Sequence, residues 1–214
     1  MAAPTVHVLD YGAGNIRSMV NALQVVGAQV IVINAGDDLH EGIEHLVMPG
    51  VGAFGAAMAS LGRRGLIAPL RRHIAAGRPM LGVCVGFQVL FESGEELGQH
   101  EGLGIFRGTV RRFPAGRIIP HMGWNEVAWR PGAHAVLDGL PSEGHFYFVH
   151  SFRPEGVDEG VVAGTSDYGD PFVAAVARDN VLGCQFHPEK SGPMGLQLLR
   201  QWVHSAARDP RGAS

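Results

Sequence analysis

The first half of the chain alternates short apolar runs with stretches of helical periodicity. Val6-His7-Val8-Leu9-Asp10 is an apolar run broken at Tyr11-Gly12-Ala13-Gly14-Asn15, after which Ile16, Met19, Val20, Leu23 and Val26 recur at helical spacing. That reads as strand, glycine turn and helix, with Asn15 placed to cap the helix. Gln29 to Ile33 and His45 to Met48 predict two more strands, and Leu66 to Ala76 predicts an amphipathic helix stopped by Gly77. Pro79 to Val83 predicts a fourth strand. Such alternation points to an α/β fold, doubly wound around a mostly parallel sheet that carries its sites at the carboxyl ends of the strands.

The second half changes character. Gly102 to Phe113 and Ile118 to Arg130 predict a β-hairpin, and a helical turn is expected over 135–140. Strands resume at Phe146 to Val149 and Gly160 to Gly164. Phe172 to Ala177 and Val181 to Phe186 flank Arg178-Asp179-Asn180 as a further hairpin, and Leu196 to His204 predicts a closing helix. Antiparallel additions to the parallel core are therefore expected. No repeat or linker divides the chain, so one domain is expected over 1–207, with a frayed tail from Arg208 to Ser214.

Composition narrows the partners. A net charge of -3 over 214 residues provides no basic field for nucleic acid or an anionic membrane. No run of 18 apolar residues predicts a membrane span, and Met1 to Asp10 lack the pattern of a signal peptide, so a cytoplasmic location is expected. In a reducing compartment the two cysteines, Cys84 and Cys184, read as a nucleophile or core residues before a disulfide. Gly12-Ala13-Gly14 has no third glycine three residues on, so the turn does not make a dinucleotide fingerprint; neither a cofactor nor a metal is expected.

Leu81-Gly82-Val83-Cys84-Val85-Gly86-Phe87-Gln88 is the stretch that bears on chemistry. It reads as a strand entering a nucleophile elbow, with glycines on either side of Cys84 removing side chains that would collide at a strained strand-to-helix corner. Cys84 would stand at a helix N-terminus, which favours a thiolate; the competing reading is a small buried hydrophobe on a core strand. Gln88 lies one helical turn beyond Cys84, on the same face. Pro49-Gly50-Val51-Gly52-Ala53-Phe54 is either a plain tight turn or a backbone arm whose N–H groups, with that of Val85, receive an oxyanion. His187-Pro188-Glu189 is either a polar turn or the base and orienter of a Cys-His-acid triad, with His187 and Glu189 on one side of an extended backbone.

Gly82 to Gly86 together with His187-Pro188-Glu189 resembles the class I, or triad, glutamine amidotransferases. Pro49 to Phe54, Pro120-His121-Met122-Gly123-Trp124-Asn125, Tyr147-Phe148-Val149-His150-Ser151 and His187-Pro188-Glu189-Lys190-Ser191 resemble, more narrowly, the family of glutaminase subunits of imidazole glycerol phosphate synthases. The resemblance runs from Leu9 to about Trp202. It implies a flavodoxin-like domain that hydrolyses L-glutamine through Cys84, His187 and Glu189. The ammonia would pass to a separate cyclase subunit, a (βα)8 barrel, that makes imidazole glycerol phosphate and the aminoimidazole carboxamide ribotide (AICAR) in histidine biosynthesis. By the same resemblance Gln88 and Glu96 hold the amino-acid end of glutamine, and backbone at His150, Ser151 and Phe152 closes over it. His121, Trp124, Asn125, Tyr147 and Lys190 would face the cyclase, although His121 and Trp124 also read as core fillers. Lys190 is the single lysine beside sixteen arginines, which marks a place for a compact ammonium at the ammonia passage.

Overall fold

Among the described residues, thirteen strands and five α-helices follow one another in chain order: β1 (Thr5–Leu9), α1 (Ile16–Val25), β2 (Gln29–Ile33), β3 (His45–Met48), α2 (Phe54–Arg63), α3 (Ile67–Ala75), β4 (Met80–Val83), α4 (Val85–Gln88), β5 (Phe91–Gly94), β6 (His100–Glu101), β7 (Phe106–Arg112), β8 (His121–Trp129), β9 (Glu143–His150), β10 (Phe152–Glu155), β11 (Val162–Asp167), β12 (Pro171–Arg178), β13 (Val181–Cys184) and α5 (Gly192–Ser205). This computed structural model describes residues 3–205, so the tail expected from Arg208 lies outside the described residues. A nine-stranded sheet runs β2-β1-β3-β4-β13-β12-β11-β8-β9, and a four-stranded sheet runs β10-β7-β5-β6. The first five strands of the large sheet are mutually parallel, and from β13 onward each neighbour is antiparallel.

Burial explains the parallel spine. Every residue of β3, β4 and β13 is buried, as expected where helices cover both faces of a sheet. Strand β2 lies at the edge and leaves Ile31 and Val32 exposed. Helix α1 turns Met19, Ala22 and Leu23 inward, and the Asn15 side chain caps it by accepting the Ser18 N–H at 3.3 Å. The loops after β1, β3, β4 and β13 carry Tyr11, Gly50, Cys84 and His187, so four carboxyl ends meet on one side of the sheet.

Three expectations change. Helix α2 was not foreseen, because Gly55, Gly62 and its alanines dilute the apolar signal; Phe54, Ala57 and Leu61 nevertheless bury one face. The hairpin expected from Gly102–Phe113 and Ile118–Arg130 does not form: β7 pairs with β10 and β5, whereas β8 pairs with β9 and β11. Phe113 draws the chain across between the sheets, packing its ring against His121, His150, Tyr168 and Phe172 at centroid distances of 6.3, 5.2, 5.8 and 5.5 Å. The helix after Cys84 is only the four residues of α4 before the chain turns into β5.

Candidate active site

The turn that carries Cys84 holds it at φ 55° and ψ -111°, a left-handed conformation that few residues other than glycine adopt. A Cβ at Gly82 would stand 2.8 Å from the Gly86 carbonyl oxygen, and one at Gly86 would collide with the Met48 carbonyl oxygen. Both glycines are therefore required by close backbone approach, and the elbow is built as its spacing predicts. The helix beyond it is shorter than expected. With a single turn, α4 lends Cys84 little of a long helix's dipole, and local groups matter more.

His187 supplies the nearest of those groups. Its Nδ1 lies 2.8 Å from Glu189 Oε1, and the two side chains are 3% and 5% exposed. They do not share an extended strand. His187 is extended, but Pro188–Lys190 forms a 3-10 turn that swings the carboxylate back under the imidazole. Burial pulls the His187 pKa down, yet Cys84 and Glu189 together overcome it and hold the imidazole up at about 9. The carboxylate accepts from Nδ1–H, which leaves Nε2, a buried atom without a well-formed hydrogen bond among the described residues, toward Cys84. The His187 backbone N–H donates to the Tyr147 carbonyl at 2.9 Å, and Ser191 Oγ accepts the Tyr147 N–H at 3.0 Å, so β9 is pinned to the loop that carries His187 and Glu189.

Beside these groups opens a cavity of about 400 Å³. It is lined by Cys84, Val85, Gln88, Glu96, Val51, Gly52, His150, Ser151, Phe152 and His187, and so gathers the residues expected to act on, stabilise or grip a substrate. Glu96 Oε2 accepts the Phe54 N–H at 2.9 Å, which fixes one carboxylate oxygen at the start of α2. Of the groups expected to receive an oxyanion, the Val85 N–H donates instead to the Gly50 carbonyl at 3.3 Å.

A hydrogen-bond chain threads behind the cavity. Carbonyl oxygens only accept, so His150 donates Nδ1–H to the Phe152 carbonyl (2.8 Å) and must accept at Nε2 from His121 Nδ1–H (3.0 Å). His121 Nε2 then accepts from Asn125 Nδ2 (3.3 Å), which also donates to the Asp167 carbonyl (2.7 Å). From the other side Gln88 Nε2 donates to the Phe152 carbonyl (3.2 Å) and to Gln185 Oε1 (3.0 Å), and Gln185 Nε2 points to Cys84 Sγ at 3.9 Å. Gln185, completely buried, was not foreseen. It lies directly after β13, two residues before His187.

This chain corrects one expected interface residue. His121 is 3% exposed and stacks between Tyr168 and Phe148, with centroids 4.1 and 5.0 Å away, so it serves the interior. Trp124 instead stands 57% exposed on the outer side of β8, next to Met122 at 61%, and meets the half-buried Tyr147 edge-on at 6.3 Å. Asn125 and Lys190 are half-buried, although the Asn125 amide is turned toward Asp167. Cys184 is buried, and its burial pushes the thiol pKa up. Among the described residues no group of His, Cys, Asp and Glu is arranged to hold a metal ion, and no helix is long and apolar enough to cross a membrane.

The buried neutral histidines make stability depend on pH. Burial lowers His73 to about 4, against the raising effect of its hydrogen bond to Pro79, and lowers His150 to about 3. Unfolded histidine titrates near pH 6.5, so the unfolded chain takes up these protons first and stability falls as pH drops below that value. At pH 5 each of these two sites removes about 2 kcal/mol. His187 acts oppositely: its contribution is complete below pH 6.5 and is lost as pH rises through 9, so between pH 7 and 5 it restores just under about 1 kcal/mol. Burial also lowers His121 to about 4, so urea unfolding followed by circular dichroism should give a stability lower at pH 5 than at pH 7 by at least about 3 kcal/mol. An unchanged midpoint would mean that the histidines protonate within the fold.

The glutamine amidotransferase class-I family profile matches residues 7–206. The imidazole glycerol phosphate synthase subunit HisH of Desulfitobacterium hafniense (strain DCB-2) is 49% identical over 203 residues, covering 94% of this chain and 95% of that protein. The imidazole glycerol phosphate synthase hisHF of Emericella nidulans is 42% identical over 213 residues, covering 95% of this chain but 38% of its own length. Among solved structures, PurLQS from Thermotoga maritima shares the fold with a TM-score of 0.78 at 19% identity, covering 96% of this chain and the whole of the matched one.

Proposed function

The chain belongs to the class-I glutamine amidotransferase family, and from that membership we propose how it works: it is the glutamine-hydrolysing subunit of an imidazole glycerol phosphate synthase in histidine biosynthesis, with Cys84 as its nucleophile. The observation that carries the residue roles is the buried Cys84–His187–Glu189 group opening onto a cavity of about 400 Å³. Cys84 Sγ attacks the side-chain carbonyl carbon of glutamine with its proton already resting on His187 Nε2, because the imidazole is held protonated at neutral pH. Apo contacts of this kind tighten when substrate arrives. The tetrahedral oxyanion is held by the backbone N–H of Val85 and that of the Val51–Gly52 arm. Collapse breaks the carbon–nitrogen bond, and His187 returns the proton to the departing ammonia. Water then attacks the γ-glutamyl thioester with His187 as base, releasing glutamate and the free thiol. Glu189 keeps Nδ1–H in place throughout and steadies the imidazolium.

Gln88 and Glu96 face the amino-acid end of the substrate, and backbone from His150 to Phe152 covers it. One Glu96 oxygen is engaged with Phe54, and the other is available for the ammonium group of glutamine.

Ammonia released into water at neutral pH is protonated and loses the lone pair the next reaction needs, so the acceptor must be docked. The Emericella relative, in which this sequence matches only part of a longer synthase, supports a cyclase as that partner. In our reading the cyclase is a (βα)8 barrel that seats on Met122, Trp124, Tyr147 and the surroundings of Lys190, an aromatic patch of the sort that anchors interfaces. The proposal includes a cytoplasmic location, where the free thiols of Cys84 and Cys184 stay reduced.

The free subunit should hydrolyse glutamine slowly, because Gly50 occupies the Val85 N–H. Adding the cyclase with its nucleotide substrate should raise kcat by at least about 10²-fold, the usual worth of one oxyanion donor. Glutaminase assays with and without the partner measure this. Full turnover by the isolated subunit would overturn the gating, and indifference to the cyclase would overturn the choice of partner.

A further inference from the structure

Tyr11, in the loop after β1, is fully buried, yet its hydroxyl has no hydrogen-bond partner among the described residues. Leaving a buried hydroxyl unpaired carries a desolvation penalty, and such a group calls for an explanation. The position is rigid, since the Ser60 hydroxyl donates to the Tyr11 carbonyl and anchors the backbone to α2. Burial first, and the neighbouring Cys84 second, push the phenol pKa up, so the group is an O–H donor at neutral pH.

The surroundings identify what it faces. A Cβ on Gly50 would overlap the Tyr11 hydroxyl and would lie 2.7 Å from the Gly86 nitrogen and 3.0 Å from Val85 Cβ. The hydroxyl thus rests on the bare face of Gly50, beside the elbow. Gly50 is also the residue whose carbonyl holds the Val85 N–H at 3.3 Å. An oxyanion cannot use that N–H until the carbonyl leaves, and a carbonyl leaving one donor inside a buried site needs another. Gly52, at φ 97°, gives the arm a hinge two residues on.

We propose that the Tyr11 hydroxyl is the second seat of the Gly50 carbonyl. In the resting arm the carbonyl accepts from Val85 N–H. In the working arm the Gly50–Val51 peptide rotates, the carbonyl accepts from the Tyr11 O–H, and the same rotation turns the Val51 N–H toward the oxyanion. Tyr11 is accordingly a positioning residue that stabilises the assembled oxyanion hole and touches neither substrate nor sulfur. This deepens the glutaminase reading and rests on it.

The test is Tyr11→Phe, which keeps the ring and removes only the orphan oxygen, assayed in the complex with cyclase and its nucleotide substrate. Stimulated glutaminase kcat should fall about tenfold, what one neutral hydrogen bond supplies, with KM for glutamine within about twofold of wild type. Melting temperature should equal or exceed wild type, because no resting-state bond is lost. Alkylation of Cys84 by iodoacetamide, a displacement that develops no oxyanion, should keep its wild-type rate. Wild-type stimulated kcat in the variant would overturn the inference, and so would a loss of activity accompanied by a lower melting temperature or slowed alkylation. A wild-type complex that hydrolyses no glutamine would instead defeat the glutaminase reading itself.

Discussion

Cys84→Ala should abolish glutamine-dependent synthesis by the complex and leave synthesis from added ammonium salt at the wild-type rate. The loss should exceed about 10⁴-fold, because removing a nucleophile removes the covalent route and leaves only binding and dipoles. The substitution is mild for the fold. Cys84 is 4% exposed and anchors the elbow through its backbone, the N–H donating to the Cys184 carbonyl at 2.8 Å. Alanine keeps that bond. Glutamine binding should therefore persist, and titration calorimetry on the variant complex can measure it without turnover. A parallel fall in the ammonia-dependent rate would show that Cys84 also supports the docking face, which the arrangement here does not provide for.

The second large effect belongs to a residue with no side chain. In Gly86→Ala the new methyl group meets the Met48 carbonyl, part of a buried strand end that cannot move aside as a flexible side chain would. Either the elbow shifts away from β3 or the fold weakens by about 3 kcal/mol, in the upper range for single substitutions. A displacement of even about 1 Å at the nucleophile costs about 10²-fold in rate. Activity should thus fall at least that far even where chemical denaturation shows the protein folded. Gly160→Ala is the matching control: nothing lies within 4 Å of its would-be Cβ, and both rate and stability should stay near wild type. Equal behaviour of the two variants would rule out steric closure as the reason for the glycine.

Local signals carried far where backbone and burial act together. The apolar runs of β1, β3 and β4 are legible because strands covered on both faces have no polar side to blur them. The Gly82-to-Gly86 spacing is legible because its cause is local, a collision avoided within one turn. What stayed hidden depends on partners distant along the chain. Strands β7 and β8 look like a hairpin from their own residues, and it is Phe113 packing against Phe172, 59 positions away in the sequence, that sends them to different sheets. His121 could be read as interface or as core, and the decision rests with His150 on the facing strand. Gln185 and Tyr11 offer no motif at all; one is found through a bond to Gln88 and the other through a bond it lacks.

The pairing of β8 with β9 runs unbroken from His121 opposite His150 to Ala128 opposite Glu143. Along β8 the odd positions turn inward, with His121, Val127 and Trp129 buried, while Met122, Trp124 and Glu126 stand out. The packed interior and the exposed Trp124 patch thereby occupy the two faces of one ribbon, in alternate letters. Inserting a single residue between His121 and Trp124 would exchange the faces beyond it, sending Trp124 inward and Val127 outward. Inserting two would restore the phase. The strand should thus tolerate almost no change in length.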